Sequence, residues 1–251
     1  MDLKERHHEN GSRHPWELAR VKALREIALA SGVLAPEVKV LDLGCGDGFL
    51  IDGLCPLSVG TVDDVDIHLT ADQVATFAAE RPRINFHNSE RALVEHSYGL
   101  ITMFDVLEHI EDDALFLRQT ISRFAAPGAS FFCTVPAFQA LYSSHDSFLQ
   151  HRRRYNLPRL MQLLEKAGLE CVCSGYLFSL LLPVRAVAVL AEHLLGMVDP
   201  NPGIGHWQHG RLLTALVSKI LEVDNLLLLC LGRMGIKIPG LAVWAICKTP
   251  R

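Results

Sequence analysis

The 251-residue chain has no excess of positive charge: its formal net charge is -4, and Arg152-Arg153-Arg154 is its one dense basic cluster. That balance argues against a general nucleic-acid binder, which would present a basic face. Cysteine offers no framework either. Seven cysteines, an odd number scattered over positions 45, 55, 133, 171, 173, 230 and 247, make neither a set of disulfides nor the paired spacing of a zinc site. They read as reduced thiols, and Cys171 and Cys173, alternating with Val172, read as packing on one face of a strand. Long apolar runs are missing as well. Met1 to Pro15 is polar where an export signal needs an apolar core, and the run from Cys171 to Val184 falls short of the roughly 20 residues that a spanning helix requires. The expectation is a cytoplasmic protein without a transmembrane anchor. With 49% apolar residues, the chain has ample material for one large core.

Against these absences stands one dense signal, Val40-Leu41-Asp42-Leu43-Gly44-Cys45-Gly46-Asp47-Gly48-Phe49-Leu50. An apolar strand runs into a turn with glycine at alternate positions and then into a helix. Glycines allow positive φ and let a ligand lie against the main chain where a Cβ would collide. A dinucleotide fingerprint, G-x-G-x-x-G, would need glycine at position 49, and Phe49 stands there. The spacing G-x-G-x-G, with Asp42 two residues ahead of it, resembles motif I of the class I S-adenosylmethionine-dependent methyltransferases.

Three further segments extend the resemblance in the same order. Val59 to Asp66 looks like the acidic-ended second strand of that family. Leu100 to Asp113, with Asp105, Glu108 and His109, resembles the fourth-strand signature of the group that includes the ubiquinone-pathway methyltransferases. Ala126-Pro127-Gly128-Ala129 before Ser130 to Pro136 resembles the turn and fifth strand that close the cofactor half. One departure is Tyr98-Gly99 at the head of the fourth strand, where the family commonly has an aromatic residue followed by Asp.

Periodicity gives a helix from Pro15, then strands at 38–43, 59–66, 84–87, 99–104 and 129–135 alternating with helices at 48–55, 70–81 and 112–124. Such alternation predicts a parallel sheet with right-handed crossovers, with ligands gathering at the carboxyl ends of the strands where the order reverses. A helix at 158–167 stopped by Gly168, a strand at 169–173 and a last strand at 241–248 complete the pattern. The expected fold is α/β: a Rossmann-like class I methyltransferase sheet of seven strands, mostly parallel with an antiparallel last strand. A helical insertion separates strands six and seven. As one domain it divides into a cofactor half (14–136), an acceptor-side loop and helix (137–175), an apolar helical insertion (176–239) and the last strand (240–251). The insertion carries leucine-rich helices at 177–195, with Pro183 as start or kink, and at 212–231. In the second, Thr214, Ser218, Glu222 and Asn225 line one stripe, and its wide apolar remainder is expected to be covered by the domain or a dimer partner, to enclose a greasy acceptor pocket, or to rest on a membrane surface.

The resemblance implies S-adenosyl-L-methionine as cofactor, with S-adenosyl-L-homocysteine as product. It places Gly44, Cys45, Gly46 and Gly48 beside the methionine part, with Asp47 among the cofactor-binding residues and Asp42 ordering the loop or reaching the amino group through water, and Asp66 followed by Ile67 at the ribose, with Asp63 and Asp64 as the competing acids. Ser89 and Glu90, then Phe104 and Asp105, are placed around the adenine. His14, Trp16 and Arg20 resemble an N-terminal element that covers the cofactor. A sulfonium methyl group is already activated, so no metal is expected.

The loop from Tyr142 to Tyr155 concentrates ionisable groups after the fifth strand. His145 beside Asp146 reads as a general base, with Tyr142 near it, and Arg153 and His151 as an anchor for an acidic acceptor group. The competing reading is that His151 and the arginines pin the loop to acidic residues. The expected partner is a small-molecule acceptor methylated on O, N or C, and no nucleic acid. The Asn-Pro-Pro-Tyr loop of base-amino methyltransferases is absent, with Phe104-Asp105-Val106-Leu107-Glu108 in its place. A non-catalytic cofactor-binding protein of the same fold, or a protein or nucleic-acid methyltransferase, is the alternative. Residues 176–239 are the candidate surface for peripheral membrane contact or a homodimer.

Overall fold

In the computed structural model, described for residues 13–44, 46–196, 207 and 209–250, helix α1 (Pro15–Ala30) leads into β1 (Val40–Leu43). The chain then alternates through α2 (Phe49–Leu54), β2 (Val62–Val65), α3 (Ala71–Glu80), β3 (Ile84–His87), β4 (Tyr98–Phe104), α4 (Asp113–Phe124) and β5 (Ala125–Pro136). A short α5 (Ser144–Phe148), α6 (Leu157–Lys166), β6 (Glu170–Leu177), α7 (Leu181–Leu195), α8 (Arg211–Arg233) and β7 (Ala242–Lys248) follow. The seven strands form one sheet in the order β3-β2-β1-β4-β5-β7-β6. Strands β1 to β5 pair in parallel, and β7 is antiparallel to both β5 and β6.

The order reverses between β1 and β4, so the crevice beyond their carboxyl ends is where a ligand belongs in an open sheet. Two apolar clusters fill the two faces. One packs Leu24, Ile27, Ile51 and Phe77 against Val40, Val62 and Leu100. The other packs Leu117, Phe124, Leu160 and Leu164 against Leu41, Ile101 and Phe131. Adjacent residues of β1 and β4 thus serve opposite faces, as a period of two requires.

The expected sixth strand ends four residues too early. It runs to Leu177, because Ser174 to Leu177 pair with Ala242 to Ala245, and the insertion's first helix therefore starts at Leu181. Pro183 lies in its first turn, where no intrahelical N–H is required. The fifth strand starts earlier than expected, at Ala125, with Pro127-Gly128 absorbed as an irregularity in the pairing with β4.

Helix α8 buries its polar stripe together with Leu221 and Leu228 and exposes much of its apolar remainder. Its buried residues include Thr214, Ser218, Asp224 and Asn225, whereas Leu212, Leu216, Leu226 and Leu227 are exposed. The polar stripe has fixed partners. Phe178 N donates to Asn225 Oδ1 (2.9 Å), Leu180 N donates to Asp224 Oδ2 (3.1 Å), and Lys22 pairs with Glu222. Hydrogen bonds at the end of β6 and an ion pair to α1 thus hold the helix by its polar side. Among the described residues, no helix is long and apolar enough to cross a membrane.

Candidate functional site

The turn after β1 carries three left-handed glycines, Gly44 (φ +74), Gly46 (φ +58) and Gly48 (φ +70). Two of them are also required by space. A Cβ on Gly44 would lie 2.5 Å from Val106 Cγ2, and one on Gly48 would lie 2.5 Å from Phe86 Cζ and 2.9 Å from Asp64 Oδ2. The Cβ positions are thus taken by protein side chains, so packing as well as backbone conformation requires glycine here. Cys45 falls outside the described residues.

The three acids of the second strand have different surroundings. Asp63 points to the β3 side, where it accepts hydrogen bonds from Asn85 Nδ2 (3.1 Å), His87 Nε2 (2.9 Å) and Tyr98 OH (3.0 Å). Asp64 is buried and faces Asp42 across the β1–β2 register. Among the described residues neither of its oxygens meets an N–H or hydroxyl donor. The hydrogen bond left to it is a proton shared with Asp42. Burial pushes Asp42 up to about 7, with the Thr102 hydroxyl (2.5 Å) opposing, and burial together with the facing Asp42 pushes Asp64 well above the ordinary carboxylate range. Asp66 bonds the turn: its Oδ2 accepts from Gly46 N (3.2 Å) and its Oδ1 from His68 N (2.9 Å). Ile67, next to it, is 71% exposed.

Helix α1 lies along this site through residues that sequence reasoning only partly singles out. His14 caps the helix, accepting from Trp16 N at Nδ1 (3.1 Å), and burial lowers its pKa to about 4, which keeps that nitrogen an acceptor. Arg13, which belongs to no motif, pairs with Asp47 and Glu17 and stacks over the Phe49 ring at 4.0 Å. Burial would raise the Asp47 carboxyl, but the Arg13 guanidinium brings it below its usual value. Arg20, 3% exposed, donates to Thr134 Oγ1 (2.7 Å) and pairs with Asp105 Oδ2 (2.7 Å). Asp105 sits at φ +58, a conformation that a non-glycine residue holds only where its surroundings impose it. Trp16 packs on Phe178, their ring centroids 5.7 Å apart.

Other residues expected at the adenine have local duties. Phe104 goes into the core, edge to face with Phe132, so its side chain is not available as a pocket wall. Ser89 caps a short turn by accepting from Arg91 N, and Glu90 pairs with Arg123 of α4 (3.1 Å).

In the acceptor-side loop the pairing differs from that expected. Adjacent helix positions do not face one another, so the neighbours His145 and Asp146 on α5 are set apart. Asp146 is fully buried and serves as a hub. Its oxygens accept from His151 Nδ1 (2.8 Å), Arg154 Nε (2.8 Å) and Ser143 N (3.0 Å), with Arg185 of α7 at 3.4 Å. Burial alone would raise its carboxyl, but His151 and Arg154 hold it far below the usual range. Tyr142 OH donates to His151 O (2.7 Å), and Arg153 bonds Asp113 Oδ2 (3.0 Å) and Glu111 O (2.7 Å). Asp146, Tyr142, His151 and Arg153 are thereby engaged in fixing the loop, while His145 is half-buried on α5. The insertion joins this network through Arg185 and through Glu192, whose Oε1 accepts from Ser144 N (2.8 Å). Nothing in the local sequence around position 146 points to a partner as distant along the chain as Arg185.

A family model described as a methyltransferase domain matches residues 16–174. A probable S-adenosylmethionine-dependent methyltransferase of Mycolicibacterium smegmatis is 29% identical over 136 residues, 52% of this chain and 51% of that one. The mitochondrial ubiquinone biosynthesis O-methyltransferase of Saccharomyces cerevisiae is 33% identical over 94 residues, 35% of this chain and 30% of that one. The match thus spans about half or less of the length of these relatives. Among solved structures, N-methyltransferase NodS of Bradyrhizobium japonicum WM9, in complex with S-adenosyl-l-homocysteine, aligns over 100% of this chain and 95% of its own with TM-score 0.56 and 13% identity. The [4+2]-cyclase SpnF aligns over 96% and 85% with TM-score 0.59 and 18% identity. At such identities the two structures speak for the fold alone, and one of them bears the name of a cyclase. The family rests on the domain match together with the glycine turn: the chain belongs to the S-adenosylmethionine-dependent methyltransferases.

Proposed function

We propose that the chain transfers a methyl group from S-adenosylmethionine to a small, lipophilic acceptor. The cofactor supplies an electrophilic methyl carbon on a positive sulfur. The protein's own part is to hold, orient and keep water away. Gly44, Gly46 and Gly48 would flank the methionine portion with bare main chain. Asp66 would accept from the ribose hydroxyls, since an ionised carboxylate offers paired acceptors and no competing donor. Asp105, fixed by Arg20 and Thr134 at the end of β4, would border the nucleoside. Asp42 and Asp64 lie beneath the turn and support it from inside the sheet.

The observation that carries the lipophilic acceptor is the exposed apolar face of the insertion. Helices α7 and α8 turn Val187, Leu190, Leu194, Leu212, Leu216 and Leu226 outward, while Arg185 and Glu192 of α7 grip the acceptor-side loop. An apolar surface coupled directly to the loop that would receive the acceptor suits a substrate delivered from a lipid phase. The same surface would support peripheral membrane contact.

The test is methyl transfer from labelled S-adenosylmethionine with organic-soluble and aqueous fractions of a cell extract as acceptors. We expect label in the organic-soluble fraction, unaffected by nuclease or protease treatment. Label confined to protein or nucleic acid would refute the reading.

A further inference from the structure

Glu108 is fully buried, and among the described residues neither of its carboxyl oxygens has a hydrogen-bond partner. An unpaired carboxyl inside a protein costs stability unless something compensates it. Two imidazoles stand beside it. His109 follows it in the chain and His151 comes from the loop after β5, and one ligand atom of each of the three residues lies within 4.8 Å of the others. The rings of His109 and His151 meet edge to face at 4.8 Å, and His151 Nε2 is 4.0 Å from Glu108 Oε1. We propose that Glu108, His109 and His151 form a binding site for a divalent first-row metal ion.

Three features support a prepared site. The first is the tautomer of His151. Asp146, ionised under Arg154 and Arg185, can only accept, so His151 Nδ1 carries the proton of their 2.8 Å bond and Nε2 presents its lone pair toward Glu108. A carboxylate orienting a histidine in this way is the usual outer support of a metal ligand. The second is rigidity between the two segments. Arg152 N donates to Glu108 O (2.8 Å), Arg152 Nε donates to His109 O (3.1 Å), and Tyr155 OH donates to Leu107 O (3.1 Å). The loop is therefore tied to the residues that follow β4. The third is chemistry: two imidazoles and one carboxylate suit zinc, manganese or iron(II) rather than calcium. Bonds of about 2.0 to 2.2 Å would bring the three ligand atoms closer by roughly an ångström, within reach of side-chain rotation.

Three protein ligands leave a coordination position open. This next step rests on the methyl-transfer reading. An acceptor hydroxyl taking that position would release its proton to water more readily beside a divalent cation. Its oxygen then bonds the methyl carbon as the carbon–sulfur bond breaks and the sulfur becomes neutral. The site would thus select acceptors that carry a hydroxyl.

Full-length protein, stripped with a chelator and free of S-adenosylmethionine, is titrated with Co2+ alone and followed by visible absorption. One equivalent is expected to bind with the bands of nitrogen-ligated cobalt, Zn2+ should displace it, and both ions should raise Tm. Glu108→Gln and His109→Ala should each weaken binding at least tenfold. Absence of a cobalt spectrum, or unchanged affinity in both variants, overturns the site. Should Glu108→Gln fail to fold, His109→Ala decides on the same criterion. Calorimetry with S-adenosylhomocysteine, run in parallel, separates the two readings. Binding of S-adenosylhomocysteine without cobalt binding refutes the metal site alone, whereas cobalt binding without S-adenosylhomocysteine binding upholds the site and removes the methyl-transfer reading.

Discussion

The buried pair Asp42 and Asp64 makes a pH-dependent prediction through Asp64→Asn. Burial and the facing Asp42 hold the Asp64 proton well above the ordinary range, so the native protein keeps it to higher pH than the unfolded chain does. In the unfolded chain the same carboxyl ionises near 3.9. Wherever the native state alone holds this proton, stability falls as pH rises, by up to about 1.4 kcal/mol per unit. The amide of the variant has no such proton to lose and offers an N–H to Asp42 at every pH. Between pH 5 and pH 8, the stability of the variant relative to the native protein should rise with pH, by up to about 4 kcal/mol. At about 2 to 4 °C per kcal/mol for a chain of this size, that upper figure is a relative Tm change of roughly 8 to 16 °C. Asp42, pushed to about 7, adds to the effect in the same direction, because the new amide donor favours its ionised form. Urea unfolding of cofactor-free protein at pH 5, 6.5 and 8, followed by tryptophan fluorescence, measures the difference. A stability difference that does not vary with pH would refute the shared proton.

Asp66→Ala should weaken S-adenosylhomocysteine binding by roughly 10- to 150-fold, the loss of charge-assisted bonds worth about 1.5 to 3 kcal/mol, and Asp66→Asn should fall between it and the native protein. Unchanged calorimetric affinity in both variants would take the ribose away from Asp66. Gly48→Ala places a side chain at φ +70 against the Phe86 ring. It should cost at least the roughly 1 to 2 kcal/mol of a left-handed L-residue and lower cofactor affinity as the turn shifts. A denaturation midpoint equal to that of the native protein would refute the argument.

The cofactor half of the fold is legible in the sequence because its signals are local. The glycine turn states its own conformation: positive φ and close approach require glycine whatever the rest of the chain does, and the parallel strands announce themselves by alternation with helices. What is not legible is what register and long-range pairing decide. Asp63, Asp64 and Asp66 look alike in sequence. Pairing sends Asp63 to His87 and Tyr98, buries Asp64 on Asp42, and leaves Asp66 at the turn. Near position 146 the concentration of charge is visible, but sequence adjacency suggests His145 as the partner of Asp146. Helix geometry separates adjacent side chains, and His151, Arg154 and Arg185 hold that carboxylate. The sense of α8 cannot be read from sequence either. Its stripe of Thr214, Ser218 and Asn225 carries no local mark of burial, and hydrogen bonds at the end of β6 draw it inward.

Helix α7 ties the insertion to the chemistry. Arg185 reaches the fully buried Asp146, which fixes His151, and His151 stands beside Glu108. Arg185 is one of two guanidiniums that compensate this buried carboxylate, so the position of α7 and the geometry of the loop are not independent. Any lipid that takes up the outward leucines of α7 would bind a helix whose Arg185 and Glu192 hold that loop. Lipid contact and loop order are then linked equilibria, each shifted only as far as the lipid's differential affinity for the ordered state allows.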